Sequence, residues 1–396
     1  MRASAFLYPW DVTGDPEAAG RTAALGVRQV TLASAYHSTR ALTPRHPAHR
    51  VVTAEHAAVL YPPEPGRWEG RDLRPYPAGA WAPAGDDPFG RAAEALADAG
   101  LEVHSWVVLA HNSRLGAEHP DVCVVNAYGD RYPWAPCIAR PAVRAYLAGL
   151  AAEAAVRPGA AGTELESCGW YGFAHLHAHD KVGGVGLGDA AQYLMSLCFC
   201  PDCRAGYAEE GLDPGELAAL VRRALEPVWA AGGSGAAGWP EVEKLLGAGP
   251  AAATLAWRTR VARAVQEEAV GAVRAAAPPG FRVLLHADPA PYRSGANAGV
   301  DPRHVLGVAD GVVLPCTGGA AAREAVLRPF APHRGEGAVL AANLTVVSGM
   351  GGDPGGLAAD AAHAASLGAT ELRLYHAGLA SDADLRVVAE QLAALD

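Results

Sequence analysis

Short apolar runs alternate with Ala-rich segments of helical period from one end of the chain to the other. Strand-length runs separated by helices imply βα units around a parallel sheet. The pattern predicts strands at Ala5–Trp10, Arg28–Ala33, Glu102–Ala110, Thr163–Ser167, Arg282–Ala287, Gly311–Cys316, Ala338–Leu344 and Glu371–His376. Between them it predicts helices, among them Asp15–Leu25, Arg91–Ala99, Ala142–Val156, Leu255–Ala277, Ala320–Arg328, Pro354–Leu367 and Asp382–Leu395. Asp-Pro and Ser-Asp pairs mark several helix starts, as at Asp301-Pro302 and Ser381-Asp382, and Gly26, Gly100 and Gly368 mark stops. Eight βα units close a TIM barrel, so the expected fold is an α/β protein with a single (β/α)8 barrel over residues 1–396. Two long insertions interrupt it, at about 36–87 after strand 2 and about 168–250 after strand 4.

Both insertions leave the C-terminal ends of strands, the face on which this fold does its chemistry. Polar residues gather at the same ends. Tyr8, Trp10, His37, His111, Glu164, Glu166, His286, Asp288, Asn343 and His376 all lie there, while the run interiors are Val, Leu and Ala. Period-two alternation puts Glu164 and Glu166 on one side of strand 4. An acid at the end of a central strand must be paired or protonated, which suits Glu166 to general acid catalysis. Glu164, two residues deeper, is read as orienting its neighbours. Asp288 is the second carboxylate, with capping of the Asp-Pro turn as its rival role.

The stretch after Glu166 carries Trp170, His175, His177 and His179. Flat rings and imidazoles fit a sugar-binding loop, in which rings stack on pyranose faces and His donates to hydroxyls. Alternating His residues also fit a catalytic metal, although no His-Glu-x-x-His pattern accompanies them.

Composition narrows the choice. The net charge of −10 argues against nucleic acid as a partner. No long uninterrupted apolar stretch spans a membrane, and the apolar start is too short for a signal-peptide core. Seven cysteines, several at metal-like spacing, suit a reducing cytoplasm better than a disulfide framework. No organic cofactor is expected. A homo-oligomer is compatible with the sequence.

Cys198, Cys200 and Cys203 form Cys-x-Cys-x-x-Cys, and Cys137 lies upstream. Four thiolates close the tetrahedral shell of a structural zinc. The strand-4 glutamate followed by this cluster resembles the β-galactosidases of glycoside hydrolase family 42, from about strand 3 to Tyr207. The resemblance implies a TIM-barrel glycosidase, a zinc held by Cys137, Cys198, Cys200 and Cys203, and Glu166 as the acid. Two departures stand out. The family's acid follows Asn, but Glu166 follows Leu165; its nucleophile is a glutamate ending strand 7, where this chain has Asn343. The expected activity is therefore hydrolysis of a small glycoside or oligosaccharide by Glu166 and Asp288. A metal-dependent hydrolase using the His-rich loop with Asp288, and a non-catalytic carbohydrate-binding barrel, remain alternatives.

Overall fold

Alternation along each apolar run sends one set of side chains into a barrel and the other against an outer ring of helices. The computed structural model describes residues 1–79, 81, 85–173, 180–232 and 238–395. Its central strands are β1 (Arg2–Leu7), β2 (Gln29–Tyr36), β3 (Glu102–Val108), β4 (Ala160–Glu166), β5 (Arg282–Asp288), β6 (Gly311–Pro315), β7 (Val339–Thr345) and β8 (Glu371–Tyr375). Each pairs in parallel with the next, and β8 pairs with β1. The sheet is a closed (β/α)8 barrel. Closure pairs Ala5 with Leu374, while Phe6 pairs with Thr31 on β2.

A helix follows every strand: α1 (Ala18–Ala23), α2 (Pro88–Asp98), α3 (Pro141–Ala155), α4 (Ala248–Ala276), α5 (Pro302–Val308), α6 (Ala320–Leu327), α7 (Leu357–Ser366) and α8 (Asp382–Ala393). Asp87, Asp301 and Ser381 cap α2, α5 and α8 by accepting a backbone N–H with their side chains. Asp15 does not start α1. Its carboxylate is taken by Arg21 and by the Glu17 N–H, so the helix begins three residues later. Strand β1 is also shifted towards the N-terminus. Pro9 has no N–H for the ladder, and Pro9–Asp11 turns into a 3-10 helix.

The insertion after β2 holds an antiparallel hairpin, Thr39–Leu42 with Val51–Ala54, and a short helix Pro65–Trp68. Buried Glu153 of α3 fastens it, accepting from Trp68 Nε1 at 2.8 Å, from Tyr61 Oη at 3.3 Å and from the Glu64 N–H. The insertion after β4 is helical, with Asp189–Met195, Pro201–Glu209, Pro214–Ala231 and Trp239–Leu246. A hairpin after β3, Cys123–Val125 with Arg131–Pro136, is not predicted from the pattern. Asn126 builds its turn, its Oδ1 accepting from the N–H groups of Tyr128 and Asp130. This hairpin leads directly into Cys137. No helix among the described residues is long and apolar enough to cross a membrane.

Candidate active site

The barrel interior is charged below and open above. Glu164 is fully buried. Its Oε1 accepts from Thr31 Oγ1 at 3.1 Å and from Arg373 Nε, and Arg373 Nη1 donates to Glu371 at 2.9 Å. His286 Nε2 stands 3.4 Å from Glu164 Oε2, in ion-pair range but off the line of a good hydrogen bond. Burial alone would raise the Glu164 pKa. Arg373, then His286, outweigh it and hold the group at about 2.

Glu166 ends β4 one layer higher. Trp106 Nε1 donates to its Oε2 at 2.8 Å, and His286 Nδ1 lies 4.0 Å from the same oxygen. The next residue, Ser167, has φ 56°, in the left-handed region. Such a conformation costs a non-glycine residue on the order of 1–3 kcal/mol and persists only where the surroundings enforce it. Here the Ser167 N–H donates to Ala296 O at 2.9 Å, and its carbonyl accepts from the Ala110 N–H at 3.1 Å. The strained turn carries the chain away from β4 directly after the carboxylate.

Above Glu166 opens a cleft of about 440 Å³. Glu166, His37, Tyr171, Asp288, Pro315 and residues 293–297 line it. Its lining is of two kinds. His37 and Tyr171 belong to a wall of flat rings that runs Tyr36, His37, His111, Tyr171, with centroids 4.1, 5.2 and 4.5 Å apart. Asp288, Arg293, Ser294 and Asn297 make a polar wall. Burial raises the Asp288 pKa, while the Ala290 N–H and then Arg293 pull it back in part. Arg293 is engaged by Asp189 at 2.6 Å and lies 4.0 Å from Asp288.

Of the residues singled out in the sequence, Glu166, Asp288 and His37 meet in this cleft, with His111 one ring behind. His286 lies beneath Glu166. Tyr8, Trp10 and His376 are buried in one stack beside the cleft, with Tyr8 centroids 4.6 Å from Trp10 and 4.3 Å from His376. Burial, with Arg45 adding to it, lowers the His376 pKa to about 3, so its ring is neutral. Glu164 is committed to Arg373. Trp170 is buried and donates from Nε1 to Arg258 O at 2.8 Å. Asn343 sits on β7, its Oδ1 buried without a hydrogen bond among the described residues. His175 and His177 lie outside the described residues. Sequence reading did not single out Arg293, Ser294 and Asn297, nor Trp106 as the group holding Glu166. The Gly-, Ser- and Asn-rich loop after β5 was the available signal for the first three.

A second constellation lies beyond the cleft. The sulfurs of Cys137, Cys198, Cys200 and Cys203 all lie within 4.8 Å of one another, and all four residues are buried. Cys137 Sγ is 3.6 Å from both Cys200 Sγ and Cys203 Sγ. That spacing is far too long for disulfides. It is close to the edge of about 3.8 Å that four sulfurs at about 2.3 Å from a central ion would span. The four cysteines could hold a metal ion.

No protein-family model matches the chain, and no curated protein matches it. Solved structures do. The chain is similar to alpha-L-fucosidase isoenzyme 2 from Paenibacillus thiaminolyticus, with TM-score 0.59 and 14% identity over 100% of this chain and 49% of that one. It is similar to a catalytic mutant of a GH42 beta-galactosidase from G. stearothermophilus, with TM-score 0.53 and 12% identity over 100% and 56%. It is also similar to the catalytic domain of beta-amylase from Paenibacillus polymyxa, with TM-score 0.51 and 11% identity over 100% and 98%. The chain spans about half the length of the first two. At such identities the likeness establishes the fold: this chain shares its (β/α)8 barrel with solved glycoside hydrolases.

Proposed function

We propose that the protein is a glycoside hydrolase that cleaves a small neutral glycoside or oligosaccharide in the cleft between Glu166 and Asp288. One observation carries the reading: two carboxylates line the same cleft at the C-terminal mouth of the barrel, together with flat rings and polar groups. Acetal cleavage needs a proton donor and a carboxylate or activated water across the sugar. Glu166 is the proton donor, steadied by Trp106. Asp288 is the base or nucleophile, in place of the strand-7 glutamate that Asn343 replaces. The ring wall of His37 and Tyr171 takes an apolar pyranose face, and Asn297 and Ser294 meet hydroxyls. Arg293 is already engaged by Asp189, which favours a neutral sugar over an acidic one. The four cysteines hold a structural zinc, closed by four sulfurs and so without an open catalytic position. The shared fold of solved glycosidases supports the reaction class; the choice of sugar rests on the cleft.

Asn343 favours a second reading, a barrel that binds sugar without cleaving it. A panel of neutral aryl glycosides, assayed with wild type, Glu166→Gln and Asp288→Asn, separates the two. Turnover by wild type that both variants abolish supports the hydrolase. Sugar binding by calorimetry with no turnover on any member supports the binding barrel.

A further inference from the structure

We infer that Ser196, through its hydroxyl and through Arg258, ties the four-cysteine site to both walls of the cleft, so that the thiol cluster sets how the cleft holds its sugar. The kinetic part of this inference rests on the function proposed above; the structural part does not.

Arg258 lies on α4 and is 1% exposed. A buried guanidinium ordinarily has a carboxylate partner. None lies within ion-pair distance of Arg258 among the described residues. Its partners are neutral. Nη1 donates to Ser196 O at 2.9 Å and Nη2 to Ser294 Oγ at 2.8 Å. The guanidinium lies 4.7 Å from the Trp170 ring centroid and 5.2 Å from that of Tyr193. Packing alone would be met more cheaply by Leu or Met. A planar fork that reaches two segments at once is what only arginine supplies.

The two segments are informative. Ser294 is in the polar wall of the cleft. Ser196 is two residues before Cys198, whose sulfur accepts from the N–H groups of Val125 and Cys200, both at 3.4 Å. The cysteine site therefore fixes the chain directly after Ser196. The Ser196 hydroxyl also accepts from the Phe173 N–H at 3.0 Å. Gly172 presses so closely on it that an added Cβ would lie 2.3 Å from Ser196 Oγ. The residue before, Tyr171, belongs to the ring wall. The loops close on each other as well: the Gly295 N–H donates to Trp170 O at 2.9 Å, and Trp170 Nε1 to Arg258 O. Ser196 thus braces the ring wall through its hydroxyl and the polar wall through Arg258. Arg258 is a positioning residue; it does not line the cleft.

Hydrogen exchange with metal analysis tests the tie directly. Arg258→Met keeps length and apolar contact but removes both donors. It is expected to retain one metal ion per chain and full amide protection on β5, while amides at 294–297 exchange about tenfold faster or more, on the scale of a charged hydrogen bond. Removing the metal from wild type with a chelator is expected to speed the same amides and that of Phe173, and to add little at 294–297 in Arg258→Met, because the tie is already cut there. With a turned-over glycoside, Arg258→Met should raise KM about tenfold with kcat changed less than twofold, and Arg258→Lys should recover part of it. If Arg258→Met does not fold, Ser196→Ala serves, with loss of protection at the Phe173 amide expected. Unchanged exchange at 294–297, in the variant or after verified metal removal, overturns the tie. Faster exchange with an unchanged KM overturns its role in sugar binding. If no glycoside is turned over, the function proposed above fails, while the exchange results still decide the tie.

Discussion

Glu164 and Glu166 lie two residues apart on β4 and face the same side of it, yet they live in different chemistry. Glu164 sits in a closed layer, bonded to Thr31 and Arg373, with His286 against it. Glu166 sits at a mouth, held by Trp106 and lining a cleft. Residue type and strand position are nearly matched, so the supply of partners makes the difference. Arg373 pairs with Glu164 and with Glu371. One layer up, among the described residues, no arginine lies within ion-pair distance of Glu166, and its hydrogen-bond donor is the Trp106 indole. A carboxyl group left with a neutral partner beside open space can exchange protons with a substrate; one locked by a guanidinium in a dry interior cannot.

The largest effect expected from breaking this contrast is on the fold. Arg373→Met leaves Glu164 buried with only His286 beside it, and Glu371 with only Arg282 at 3.3 Å, and should cost about 3–5 kcal/mol of stability, read by urea unfolding. A loss under about 1 kcal/mol would mean that the lower layer is not held by charge. Next comes Glu166→Gln. It should lower turnover by roughly a hundredfold or more, about 2.7 kcal/mol of barrier, while its unfolding curve stays close to wild type. Glu164→Gln should do the reverse in kind, weakening the fold first. If the two substitutions have interchangeable effects, the contrast is wrong.

Smaller is the effect of the metal. Stripping it should lower the melting temperature by several degrees, since a structural ion contributes folding energy. An unchanged melting curve after verified removal would speak against zinc as a staple. Smallest is the pH signature of the lower layer. The folded-state pKa of Glu164 is about 2, against about 4.3 when unfolded. Its contribution is therefore fully present above about pH 5 and is lost as pH falls towards 2. The stability gap between wild type and Glu164→Gln should narrow over that window; a constant gap would show that Glu164 is not the titrating partner. At the mouth, burial raises the Asp288 pKa. As a base it must be ionised, so the acid limb of the rate profile should lie above the ordinary aspartate value.

The barrel was legible from residues alone because strand and helix periods alternate cleanly and Gly or Asp-Pro punctuates them. The boundaries that moved have local reasons, Pro9 for β1 and the Arg21 carboxylate clamp on Asp15 for α1. The face of Glu166 and Asp288 was legible from strand ends. Which acid would be free was not, because the deciding partner, Arg373, is 209 residues from Glu164 along the chain. An arginine between two leucines in a strand was the only hint. Trp170 and the Tyr8, Trp10, His376 stack look like sugar platforms in sequence. In space Arg258 and mutual stacking engage them, and side-chain direction after a strand end is set by contacts that spacing does not encode. The polar wall from Arg293 to Asn297 came from a loop with no periodic signal at all.

In the proposed reaction Glu166 delivers a proton to a departing sugar oxygen. The most direct test is the turnover of Glu166→Gln relative to wild type on two glycosides of one sugar, one with a nitrophenolate leaving group and one with an alkyl alcohol. A nitrophenolate needs little protonation and an alcohol needs it fully. The expected loss is roughly a hundredfold or more on the alkyl glycoside and much smaller on the nitrophenyl one. Equal losses on both substrates, or near-wild-type turnover of the alkyl glycoside, would contradict it.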